Sequence, residues 1–90
     1  MVSRIMLHVA EAVSEIEQAR IARSNGDIFA MASEFDILLR WRNWATAPDR
    51  PESDAEARFT ACLKGLCDNS LLGVADLFHE NEDGVLVRHG

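Results

Sequence analysis

Tyrosine is absent from this 90-residue chain and proline occurs only twice. With leucine and alanine plentiful, that balance disfavours sheets and favours helices. Lysine is reduced to Lys64; the other eight basic residues are arginines, against fifteen acidic residues, for a net charge of −6. So little positive charge disfavours direct nucleic-acid binding, which depends on neutralising phosphates. It equally disfavours docking on an anionic membrane. It suits a protein partner with a basic surface. The arginine bias hints at a bacterial or phage source. No apolar run approaches the ~20 residues of a membrane span. His8 and Glu11 interrupt the apolar opening, where no cleavage site follows, so a cytoplasmic chain is expected.

Chemistry-bearing motifs are also missing. There is no glycine-rich phosphate loop, C-x-x-C pair or H-E-x-x-H sequence. His8, Glu11 and Glu15 share one helix face, but reverse the Glu-x-x-His order of carboxylate-bridged bundles and have no second pair. They read as a solvated acidic face, and His79, Glu80, Glu82 and Asp83 as a polar tail. Cys62 and Cys67 lie five apart in a predicted helix, which sets their Cα atoms about 8–9 Å apart, beyond disulfide reach. Both read as free buried thiols, and apolar surroundings raise a thiol pKa. Neither a catalytic residue, a cofactor nor a metal is expected, and the chain reads as a non-enzyme.

What the sequence does contain is helical periodicity. Ile5, Val9, Ala12, Val13, Ile16 and Ala19 recur at three- and four-residue steps, with Glu11, Glu15 and Gln18 toward water. Asn25-Gly26 stops this first helix, with Gly26 suited to a left-handed position. Asp27 then caps a second helix, ended by Pro48. Its stripe of Ile28, Met31, Ala32, Phe35, Leu38 and Leu39 is opposed by Ala30, Ile37, Trp41 and Trp44. Ser33, Asp36, Arg40 and Asn43 form the polar strip, Asp36 and Arg40 as an i,i+4 pair. A helix apolar on more than one face is buried, so this one is the hub. Ser53-Asp-Ala-Glu56 matches a capping box, and the third helix follows with Ala55, Phe59, Cys62, Leu63, Leu66 and Cys67 as its stripe. Asp68-Asn69-Ser70 reads as a break before a short, largely apolar fourth helix.

The expected fold is therefore a single all-α domain. It is a small compact bundle of three main helices plus a short fourth, about 3–25, 28–47, 54–68 and 71–80, opening with an antiparallel helical hairpin. Residues 81–90 form a flexible tail, where Asp83-Gly84 signals a turn and Val85–Val87 lacks an evident strand partner. Length matters here. At 1.5 Å per residue the first two helices span about 30 Å each, the third about 22 Å and the fourth about 15 Å. The last two cover the hub only end to end; otherwise it stays bare near Phe29, Ile37, Trp41 or Trp44.

Arg40-Trp41-Arg42-Asn43-Trp44 is the densest cluster of hot-spot residue types. Arg42 projects along the apolar stripe, where a charge needs a partner or an escape to solvent, its stem running past the tryptophans. The tryptophans either close the bundle's end or, with Ile37, Arg40 and Arg42, face a partner. Glu11, Glu15, Glu52, Asp54 and Glu56 are candidates for contacting a basic surface by imitating phosphates. These features point to a non-catalytic protein-binding regulator or inhibitor. A phage or mobile-element origin, with action on a nucleic-acid-processing machine, fits by size and charge only, in the manner of anti-CRISPR proteins. The alternative is a self-assembling structural or adaptor subunit, a homodimer through the central helix.

Overall fold

The computed structural model describes residues 3–46 and 51–89. They form α1 (Arg4–Ser24), α2 (Ala30–Ala45), α3 (Asp54–Leu71), a 3-10 segment (Leu72–Leu77), and the strands β1 (Phe78–Glu80) and β2 (Leu86–Arg88). Mostly helical, as composition predicts, the fold also contains a small two-stranded antiparallel sheet. Among the described residues, no helix is long and apolar enough to cross a membrane.

Local capping explains the helix ends. Ser3 Oγ accepts from Met6 N–H to start α1. Gly26 adopts φ +87° at the other end. There Asp27 N–H reaches Ala22 O and Gly26 N–H reaches Arg23 O, the paired bonds of a Schellman turn. Asp27 Oδ1 accepts from Phe29 N–H, but Ala30 N–H bonds the Asp27 carbonyl. A tight turn thus precedes α2, which begins two residues later than the spacing predicts and ends at Ala45. Ala47 and Pro48, the expected end and stop, lie outside the described residues. At α3 the capping box forms: Ser53 Oγ accepts from Glu56 N–H, while the Glu56 carboxylate reaches back to Glu52 N–H.

α2 is the hub. It packs against α1, α3 and β2, and buries Phe35, Leu38, Leu39 and Arg42 on one side and Ala30, Glu34 and Trp41 on another. Ala12 and Ile16 from α1 and Leu63, Cys67 and Leu71 from α3 complete the core, with Leu86 from β2. Along α1 and α2, His8 meets Trp44, Glu15 meets Trp41 and Arg23 meets Glu34.

Four groups of expectations are corrected. The break at Asp68-Asn69-Ser70 does not occur; α3 runs through it to Leu71. Those polar residues find tertiary partners instead of capping a new helix. Asp68 accepts from Lys64 and Arg42, and Ser70 Oγ from Arg20.

The fourth helix, expected at 71–80, is replaced by the 3-10 segment, kinked at Val74 (φ −128°, ψ 28°), and by β1. The expected tail instead holds a hairpin turn over residues 81–85 and the strand β2: Phe78 pairs with Arg88, His79 with Val87 and Glu80 with Leu86. Asn81 builds the turn, its Oδ1 accepting from Asp83 and Val85 N–H. Gly84 takes φ +79°, the left-handed position such a loop requires.

Isolated two-stranded hairpins are marginal in water, and this one is anchored by α2. Asn43 exchanges two hydrogen bonds with Leu86, Nδ2 to O at 3.0 Å and N to Oδ1 at 2.8 Å. The side-chain amide thereby takes the place of a third strand along part of the β2 edge.

The third correction concerns α3, which buries Glu56, Thr60, Leu63, Cys67 and Leu71 and leaves Ala55, Phe59 and Cys62 exposed. Two polar residues fit the buried face because each is satisfied locally. Thr60 Oγ1 donates to Ala57 O, and Glu56 is spent on the cap. The fourth concerns the stripes: Ile28, Met31 and Ala32 on the hub and Val13 on α1 are exposed. The Asp36–Arg40 pair is also replaced, Asp36 bonding Arg88 at 2.9 Å and Arg40 bonding Glu15.

Candidate protein-binding surface

The Arg40–Trp44 pentad turns largely inward. Trp41 is 8% exposed and its Nε1–H donates to Glu15 Oε2 at 3.0 Å. Arg40 also bonds that oxygen, its guanidinium 5.5 Å from the Trp41 ring centroid. Trp44 is half-buried, edge-on to Trp41 at 5.5 Å and to His8 at 5.6 Å. Ile37 is half-buried beside the core. Arg42, 5% exposed, has the partners its apolar position demands. Its Nε donates to Asp68 at 3.1 Å, Nη1 to Gly84 O at 2.6 Å and Nη2 to Glu80 at 3.2 Å. One guanidinium thus ties α2 to α3 and to the hairpin.

The acidic candidates divide. Glu11, Glu52 and Asp54 are exposed, Glu15 is half-buried under Arg40 and Trp41, and Glu56 is buried in its cap. His8 and Glu15 are thereby engaged by α2. At the other end His79 stacks on His89 with ring centroids 5.0 Å apart. Among the described residues, no group of three or more His, Cys, Asp or Glu converges on a point that would hold a metal.

Cys67 is buried and Cys62 exposed beside Phe59 and Arg58, so the expectation of two buried thiols holds for Cys67 alone. Burial, and secondarily the Asp68 carboxylate, push the Cys67 thiol from its ordinary value up to about 11. A thiol reagent near neutral pH is expected to modify Cys62 in the native protein and Cys67 only on unfolding, as counted by mass spectrometry. The unfolded thiol, titrating near pH 9, gives up its proton before the folded one. Stability is therefore unchanged by Cys67 below about pH 9 and declines from there toward pH 11.

The pronounced surface feature lies at the other end of the hub. Where α2 begins, Ile28 is 83%, Phe29 74% and Met31 64% exposed. Ile28 and Met31 line a groove of about 360 Å³ together with Phe35, Leu38, Leu71, Val74 and Leu77. Arg23, Glu34, Ser70 and Arg88 supply its polar lining. Glu34, buried and flanked by Arg23 at 3.2 Å and Arg20 at 3.8 Å, keeps Oε2 outside hydrogen-bond geometry. Arg88 lies 5.4 Å over the Phe35 ring and pairs with Asp36.

Of the hub residues that helix lengths leave open to exposure, Phe29 is exposed, whereas Ile37 and Trp44 are half-buried and Trp41 is buried. Ile28, Met31, Leu77, Arg23 and Arg88 were not legible as groove residues, because their meeting depends on the 3-10 segment and the hairpin. No protein-family model, curated protein or solved structure gives a significant match to this chain.

Proposed function

We propose that this chain is a non-catalytic protein-binding regulator or inhibitor, built on an α1–α2 antiparallel hairpin. The observation that carries the reading is the apolar groove at the start of α2, with Ile28, Phe29 and Met31 held out in solvent. A contiguous apolar face of this kind on a small domain marks an interaction site. The net charge of −6 and the exposed Glu11, Glu52 and Asp54 favour a larger partner with a basic surface. A cytoplasmic setting fits the two unpaired thiols. A phage or mobile-element origin, and a nucleic-acid-processing machine as target, rest on size and charge.

The test is capture from host lysate on immobilised wild type and on Ile28→Asp/Met31→Asp, with identification by mass spectrometry. Both positions are exposed, so the variant keeps its helical circular dichroism. Specific proteins retained by wild type and lost or reduced at least tenfold on the variant are the expected result. Equal capture by both, or none by either, overturns the reading.

A further inference from the structure

The hairpin carries two metal-ligating side chains on its outer face. Strand alternation sorts them. Phe78 and Glu80 on β1 turn toward α2, where Phe78 meets Phe35 and Glu80 bonds Arg42. Leu86 and Arg88 on β2 do the same, Leu86 in the core and Arg88 over the Phe35 ring. His79, Val87 and His89 therefore share the opposite face, and all three are exposed. His89 N–H bonds Leu77 O at 3.0 Å, so the ladder runs one residue past β2 and sets His89 diagonally across from His79. Among the described residues, no hydrogen bond or ion pair engages either imidazole.

The two ring centroids are 5.0 Å apart. Two imidazoles on one tetrahedral zinc ion, each nitrogen about 2.0–2.1 Å from the metal, hold their centroids roughly 5 Å apart. The rings lie 26° from parallel, whereas ligation uses a lone pair in the ring plane. Each ring therefore turns about its Cβ–Cγ bond to aim a nitrogen at the common point, and exposure on both sides leaves room for the turn. The backbone beneath them is already fixed, because Asn43 and Arg42 tie the hairpin to α2. Charge at this end also favours a cation. Between Leu72 and His89 stand Asp76, Glu80, Glu82 and Asp83 against Arg88, which is itself paired with Asp36.

We propose that His79 and His89 form a two-histidine site for a divalent ion of the zinc type, its remaining positions filled by water. The ligands lie on different strands and meet only when the hairpin is folded. The ion thus staples β1 to β2, and its binding energy adds to the stability of the hairpin. The proposal does not depend on the protein-binding reading.

Zinc chloride titrated into the purified, untagged full chain tests it, followed by calorimetry and by the histidine ring C–H resonances. Having fewer protein ligands than a structural zinc site, the pair is expected to saturate in the micromolar range at one ion per chain. The His79 and His89 resonances should move together while those of His8, packed on Trp44, stay in place. Amides of 78–88 should exchange more slowly with zinc than without it. His79→Ala and His89→Ala are each expected to bind at least tenfold more weakly, with unchanged far-ultraviolet circular dichroism. Cys62→Ser, which removes the exposed thiol, is expected to bind as wild type does. Shifts that grow without saturation up to millimolar zinc, or that move His8 equally, mean an adventitious ion only and overturn the proposal. Binding that survives both alanine substitutions but is lost in Cys62→Ser also overturns it.

Discussion

Trp41→Ala is expected to destabilise the protein by about 4 kcal/mol, in the range for truncating a buried aromatic side chain. In a chain of 90 residues that lowers the melting temperature by roughly 20 °C. The ring is 8% exposed and lies among Ile16, Leu38 and the other core side chains. Truncation leaves a cavity in the middle of the α1–α2 packing and removes the indole N–H from Glu15. Glu15 remains paired through Arg40, so the main loss is the cavity and the buried area. Trp44→Ala, at a half-buried position, is expected to cost about 1–2 kcal/mol. Thermal unfolding followed by circular dichroism separates the two. A Trp41→Ala protein that melts within a few degrees of wild type but has lost association assigns that ring to an interface instead.

Arg42→Leu carries the second largest expected effect, about 3 kcal/mol. Breaking a buried ion pair typically costs 3–5 kcal/mol. The lower end applies because Asp68 and Glu80 have side chains 38% and 57% exposed, where water screens the charge, and because Asp68 keeps Lys64 as a partner. Arg42→Lys is not expected to rescue the loss. Three bonds diverge from one planar guanidinium to α3, to β1 and to the hairpin turn, and one ammonium on a flexible stem cannot span them. Amide hydrogen exchange gives this substitution a signature distinct from general destabilisation. The amides of 78–88 should lose protection at denaturant concentrations where α1 and α3 still hold theirs. Uniform loss of protection along the whole chain contradicts the role of Arg42 as the hairpin's anchor.

Much of the helical framework was legible because it is local. Gly26 and the Ser53-to-Glu56 box act over three or four residues, so their bonds follow from spacing alone. The hub was legible from its doubly apolar wheel; the place of Arg42 on that wheel left open whether its charge finds partners or reaches solvent, and the structure gives it Asp68, Glu80 and the Gly84 carbonyl. The fourth helix was not. Residues 71–80 read as a short helix, yet Phe78–Glu80 pair with Leu86–Arg88 instead. That pairing is held by two side chains more than thirty-five positions earlier, Arg42 and Asn43, and no local window contains both sides of the competition. The candidate site depended on the same competition. Phe29 was legible as a residue the shorter elements fail to cover, whereas the groove beside it exists because the 3-10 segment brings Val74 and Leu77 to the start of α2.

By itself the sequence determined a small acidic helical chain with a central second helix and ends set by capping. These follow from composition, periodicity and contacts within one turn of helix. Only the tertiary structure decided that α3 hides Thr60 and exposes Phe59, and that residues 78–88 form a hairpin. It alone left Ile28, Phe29 and Met31 in water. The physical reason is common to all three. The free energy of burying a face or pairing a strand depends on which polar groups distant residues satisfy and how far neighbouring elements reach, and neither quantity is encoded within the segment it governs.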